Sequence, residues 1–194
     1  MARQFFPMLL TLLLANSTLL PDTPAPRKSR EFTIAEPSGR TTLLSSLQGK
    51  VVVMEFLFMD SEHCLRVART LNKLQGDLGQ RGFQAVGVVF GPRADLQNVL
   101  YMVNYLKLAY PVGYTTSAKV DSFLGRAGHE ILSIPQVVVI DRSGTIRATS
   151  GGRRGDAKLE DETYLRTLID ALLNEVAPAK SHRKPAEIEK SGPS

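Results

Sequence analysis

Apolar and polar positions follow two different periods along this chain. Residues 51–58 (VVVMEFLF) are almost continuously apolar, the pattern of a strand covered on both faces of a sheet. Residues 83–90 (FQAVGVVF) and 134–140 (IPQVVVI) repeat that pattern. Between these runs the spacing turns helical. Val67, Leu71, Leu74 and Leu78 recur at intervals of four, three and four, predicting a helix that starts near Ser61 and is stopped by Gly82. Leu96, Val99, Leu100, Val103 and Leu106 predict a second helix, residues 117–126 with Val120, Phe123 and Leu124 a short third. Leu165, Leu168, Ile169, Leu172, Leu173 and Val176 predict the last.

Residues 32–35 alternate as a short strand, followed by a turn at 36–40 and a small apolar turn carrying Leu43, Leu44 and Leu47. Residues 110–113 read as a short strand or extended link. Asp141, Arg142, Ser143 and Gly144 form a hairpin turn, with 145–149 as its return strand. Strands and helices alternate, which predicts an α/β fold with a central mixed sheet, helices on both faces and an antiparallel edge.

Composition sets the boundaries. The 194 residues are 43% hydrophobic and 22% charged, values of a globular chain with a proper core. The net charge of +5 comes partly from terminal segments, and no basic stripe interleaved with aromatics points to nucleic acid. Residues 1–25 have the layout of a secretory signal: Arg3, an apolar run from Phe5 to Leu14, small residues at 15–17, and prolines at 21 and 24. The run is shorter than the roughly 20 residues that span a bilayer, so cleavage is expected over anchoring. An uncleaved segment would leave the protein associated with the membrane. Residues 26–31 (PRKSRE) read as a linker, 32–176 as one domain, and the Pro-, Lys- and Ser-rich residues 177–194 as a disordered tail. The expected location is exported, extracytoplasmic or periplasmic.

Export gives weight to the cysteine count, which is one. Cys64 has no second thiol to pair with, so it is either buried and inert or reactive with another molecule. It stands where the apolar strand 51–58 gives way to the first helix. The free N–H groups and dipole of a helix N-terminus, with His63 adjacent, favour a lowered thiol pKa there, and Glu62 opposes it. His63 reads either as a proton handler or as an exposed turn residue. Glu55 interrupts an otherwise apolar strand: it is either a buried acid with a raised pKa or a partner of Arg66 or Arg69. His63, His129 and His182 share no ligand spacing, so neither a metal nor another cofactor is expected. The tripeptide Arg154-Gly155-Asp156 reads as a chance occurrence in a loop.

Three stretches together resemble the thioredoxin-like superfamily, in the version found in exported TlpA-like or redoxin proteins and in the related AhpC/TSA peroxiredoxins. They are residues 32–50 (FTIAEPSGRTTLLSSLQGK), 51–64 (VVVMEFLFMDSEHC) and 133–144 (SIPQVVVIDRSG). The resemblance covers residues 32–176 and implies a thioredoxin-like fold. It implies thiol–disulfide or peroxide (antioxidant) redox chemistry, with an external thiol or reductase and a protein thiol, disulfide or peroxide as partners. Laid on the family's Cys-x-x-Cys, Ser61 takes the first, nucleophilic position and Cys64 the second. Glu55 matches the buried acid that shuttles a proton to that second cysteine. Pro135 matches the family's cis-proline, with Ile134 offering its backbone to a bound peptide. Ser61 and Cys64 also match the Thr/Ser-x-x-Cys of peroxiredoxins. Leu57 and Pro135, however, stand where those enzymes place a proline and an activating arginine. The other reading is a thioredoxin-like module that has lost its catalytic pair and holds an extended segment of a partner.

Overall fold

The computed structural model describes residues 25–126, 132–151 and 155–175. The expected export segment up to residue 24, His129, Arg154, Val176, His182 and the C-terminal tail lie outside the described residues.

A six-stranded sheet forms the centre. Its middle is β4 (Val51–Leu57), with β5 (Phe83–Val89) parallel on one side and β7 (Gln136–Ile140) antiparallel on the other. β6 (Val112–Tyr114) continues the parallel side beyond β5, and β8 (Thr145–Thr149) lies antiparallel to β7. All seven residues of β4 are buried, as a strand sandwiched between two layers must be.

Alternation along β4 divides two cores. Val51, Val53 and Leu57 face α1 (Glu62–Leu78), α2 (Leu96–Leu106) and α4 (Glu162–Asn174). Val52, Met54 and Phe56 face α3 (Ser117–Leu124) and the small hairpin of β2 (Thr33–Ala35) and β3 (Thr41–Leu43). Phe32, Phe56 and Phe123 pack edge-on and tilted in this second core, with ring centroids 5.2–5.6 Å apart. The period of two puts Glu55 on the α1 side, among apolar neighbours.

α1 buries Val67, Leu71, Leu74 and Leu78, the stripe its spacing predicts. The helix proper ends at Leu78; a 3-10 turn follows, and Gly82 closes it at φ +97°, a conformation that favours glycine. In α2 the buried residues are Val99 and Met102, and Leu96 is exposed. The hairpin packs so closely on β6 that a Cβ at Gly113 would lie 2.6 Å from the Ala35 carbonyl oxygen.

The linker expected at residues 26–31 is structured instead. β1 (Arg27–Lys28) pairs antiparallel with Ile146 and Thr145 of β8 and covers that sheet edge. Ser29 N–H donates to the Gly144 carbonyl at 2.9 Å, and Arg30 reaches the Ser122 carbonyl at 2.8 Å. Side chains rich in charge conceal such pairing, because an edge strand is recognised by its backbone rather than by apolar alternation.

Candidate functional site

The site lies at the C-terminal end of β4, where the chain turns into α1. Ser61 is the N-cap of α1: its backbone is extended, and its Oγ accepts a hydrogen bond from the Cys64 N–H at 3.3 Å. Helical geometry then decides which neighbours are exposed. Cys64 precedes Val67, Ala68 and Leu71 by three, four and seven residues, so it falls on the buried stripe and is 0% exposed. Glu62 and His63 fall on the outside.

That burial controls the thiol. Removal from water pushes the Cys64 pKa up. Hydrogen bonds from Ser61 and the Phe58 backbone pull it down, and the charges of Glu55 and Glu160 push it up again. The net direction is upward, against the lowering expected from the helix N-terminus and His63. Burial is the main reason. His63 Nε2 lies 2.6 Å from the Glu160 carboxylate, in the segment that follows β8.

Glu55 is 0% exposed, and neither carboxylate oxygen has a hydrogen-bond partner among the described residues. That overturns the alternative of Arg66 or Arg69 as its partner, and Arg69 instead pairs with Glu62 at 3.1 Å. Burial first, and then the charge of Glu160, hold the Glu55 carboxyl well above the usual carboxylate range. An uncompensated carboxyl in such a place costs several kcal/mol if ionised, so it keeps its proton instead. Tyr110 completes the enclosure. Its hydroxyl donates to the Ala68 carbonyl at 3.2 Å, and burial followed by the Glu55 charge pushes its pKa well up.

The other side of the turn is formed before β7. The Ile134–Pro135 peptide is cis and Pro135 is buried. Phe56 pairs with Gln136 in the antiparallel register, so Pro135 sits at the same end of the sheet as Ser61 and Cys64. Ser150 holds this corner: its Oγ accepts from Val137 N–H at 2.8 Å and donates to the Pro135 carbonyl at 3.4 Å. Gln136 is buried, and its amide donates to the Ser133 carbonyl. Ile134 is half-buried and touches both cores.

Of the residues singled out in the sequence, the structure brings Ser61, Cys64, Glu55 and Pro135 to one end of the sheet; Glu160 and Tyr110, whose charge or burial is coupled to theirs, were not singled out. Glu160 stands in an acidic run before α4, which in sequence reads only as charge favouring a helix N-terminus. Among the described residues no group of three or more His, Cys, Asp or Glu side chains is placed to hold a metal ion.

Residues 23–149 match the AhpC/TSA family. Solved structures with the same fold include a thiol:disulfide interchange protein of the thioredoxin family from Chlorobium tepidum. It is 23% identical with a TM-score of 0.64, over 78% of this chain and 99% of that one. A secreted Mycobacterium tuberculosis disulfide oxidoreductase homologous to E. coli DsbE is 20% identical with a TM-score of 0.56, over 73% and 96%. A thiol:disulfide interchange protein from a Bacteroides species is 18% identical with a TM-score of 0.58, over 81% and 94%. None of the curated proteins matches the sequence.

Proposed function

This chain belongs to the AhpC/TSA family, and from that premise we propose that it is an exported thiol-dependent oxidoreductase whose only redox group is Cys64. The observation that carries the proposal is Glu55. A wholly buried carboxyl without a hydrogen-bond partner among the described residues lowers stability, and here its charge acts on the one thiol of the chain. Such a group, protonated at rest, suits a proton relay that passes its own proton toward the departing sulfur as it takes the one from Cys64.

The thiolate of Cys64 attacks one sulfur of a partner disulfide. A Cys64–partner disulfide forms, the partner's S–S bond breaks, and the departing sulfur leaves as a thiolate and takes a proton. An external thiol then attacks the mixed disulfide and returns Cys64 to the reduced state. Ser61 cannot perform that release, because a hydroxyl is far too weak an acid to replace a thiolate. With Cys64 at 0% exposure, attack requires the site to open. Disulfide exchange is favoured over peroxide reduction, since the charges that act on Cys64 are the acids Glu55 and Glu160 and no guanidinium. The corner at Ile134 and Pro135 would hold the partner's extended segment, and the partners are protein thiols or disulfides. Residues 1–25 would direct export, a reading supported by the secreted fold relative.

The burial of Cys64 favours a second reading, in which the thiol is inert and the Pro135 corner serves binding alone. Trapping separates the two. The exported protein is quenched with an alkylating agent, and species linked to Cys64 through a disulfide are identified. Partners that disappear in Cys64→Ser support the oxidoreductase. Recovery of only free, unmodified Cys64 under oxidant supports the binding module.

A further inference from the structure

A cavity of about 270 Å³ lies at the end of the sheet away from the thiol. Lys50 and Val52 border it at the start of β4, whereas Cys64 follows the other end of that strand. The stretch from Val52 to Leu57 alone separates the two by about 17 Å. The floor is apolar and belongs to the second core: Leu44, Leu47, Val52 and Ile140 are each at most 9% exposed. The rim is charged. One wall is the segment from Lys28 to Glu31, which β1 fastens to the sheet edge; another is the turn between β7 and β8. Folding therefore gathers basic residues of the expected linker beside Lys50.

The two acids on this rim are already satisfied. Glu31 accepts from Phe32 N–H at 2.9 Å and Ser45 N–H at 3.2 Å. Asp141 accepts from Ser143 N–H at 2.8 Å and Thr145 N–H at 3.0 Å, and pairs with Arg147 at 3.2 Å. Burial opposes both charges, but the bonds outweigh it and hold both carboxyls below their ordinary values. The three cations are served differently. Lys28 donates to the Ser143 carbonyl at 2.9 Å, Lys50 to Gln84 Oε1 at 3.2 Å and Arg30 to the Ser122 carbonyl at 2.8 Å. All three acceptors are neutral, and no carboxylate pairs with these cations among the described residues. Each keeps spare donors, since an ammonium carries three and a guanidinium five.

We propose that this cavity binds a small organic anion, a carboxylate or phosphate on a short apolar body. Lys28, Lys50 and Arg30 surround the anionic group, and Leu44, Leu47, Val52 and Ile140 lie beneath the body. The two halves act together. An uncharged apolar molecule leaves the cations unserved, and an inorganic anion leaves the floor wet. The cations are exposed, so each contributes modestly and the binding weakens with salt. The site goes beyond the redox reading and does not depend on it.

Hexanoate, hexyl phosphate, hexanol and inorganic phosphate separate the two halves. Their binding to the full chain is measured by calorimetry in a low-salt buffer free of carboxylate and phosphate. Amide proton and nitrogen shifts of Ser29, Ser143 and Gly144 report the place. Hexanoate or hexyl phosphate is expected to bind about tenfold or more tighter than both hexanol and inorganic phosphate, and the better of the two identifies the anionic group. Lys28→Gln combined with Lys50→Gln is expected to weaken that probe about tenfold. Both lysines are exposed, so the fold is retained. Lys73→Gln, on α1 at the other face of the sheet, is expected to leave the affinity unchanged. Failure of both acidic probes to saturate, hexanol binding as tightly as they do, shifts confined to other residues, or full affinity in the double variant each overturns the proposal.

Discussion

The Cys64 N–H donates to Ser61 Oγ at 3.3 Å, so the side chain at the first position of the motif is engaged as the cap of α1. The hydroxyl there serves the helix N-terminus. Ser61→Ala should cost about 1 kcal/mol of stability. It should also raise the Cys64 pKa further, because the hydrogen bond that favours the thiolate is lost. Thermal unfolding and thiolate titration of one preparation check both effects.

Ser61→Cys would recreate the two-cysteine arrangement. The variant is expected to form an intramolecular disulfide under mild oxidation, with two titratable thiols falling to none. Two persistent thiols would show that the turn around Ser61 does not bring the positions into bonding geometry.

Glu55 has the opposite sign from most acids in folded proteins. Its folded pKa is raised, so its contribution to stability is fully present below the unfolded value of about 4.3 and declines as pH rises through the folded pKa. Glu55→Leu should remove that decline and raise stability at pH 8 by about 1–3 kcal/mol. The same substitution should slow thiol exchange at Cys64. Chemical denaturation at several pH values, paired with exchange rates, measures the trade between stability and activity.

Asp141 behaves the other way. Burial works against its charge, but bonds from Ser143 (N at 2.8 Å, Oγ at 2.6 Å), Thr145 N at 3.0 Å and Arg147 at 3.2 Å outweigh it and hold the carboxyl below its ordinary value. The stability it supplies is present above about pH 4 and is lost as pH falls through the folded pKa. Asp141→Asn should cost about 1–3 kcal/mol at pH 7 and flatten the acid limb of the stability curve.

Gly113→Ala tests the close approach of the hairpin to β6. Its methyl would meet the Ala35 carbonyl oxygen at 2.6 Å and Ile34 Cγ2 at 2.7 Å, and backbone cannot move aside without disturbing the second core. A loss of about 1–3 kcal/mol is expected, with the Cys64 pKa unchanged. Thermal melts and thiolate titration report the two independently.

The fold was largely legible because its periodicities are clean. The apolar run of β4, the four-three-four stripe of α1 and the hairpin residues from Asp141 to Gly144 each carry one local signal. β1 was not legible, since Arg27 and Lys28 owe their strand to backbone pairing with Ile146 and Thr145. The site divides similarly. The stripe that includes Val67 and Leu71 already implies that Cys64 turns inward, and the apolar setting of Glu55 implies a raised pKa. Its lack of an arginine partner depends on where Arg69 points, and the pairing of His63 with Glu160 joins segments that local spacing does not connect.

Exchange at Cys64 in the native protein tests the central claim most directly. The full chain is incubated with oxidised glutathione from pH 7 to pH 10, and the mixed disulfide is followed by intact mass, with Cys64→Ser as the blank. The predicted result is a single glutathione adduct whose rate climbs about tenfold per pH unit until the pH reaches a thiol pKa above the ordinary cysteine value. A native protein that gains no adduct across that range, yet reacts at once when unfolded, would contradict it and leave Cys64 as a packing residue.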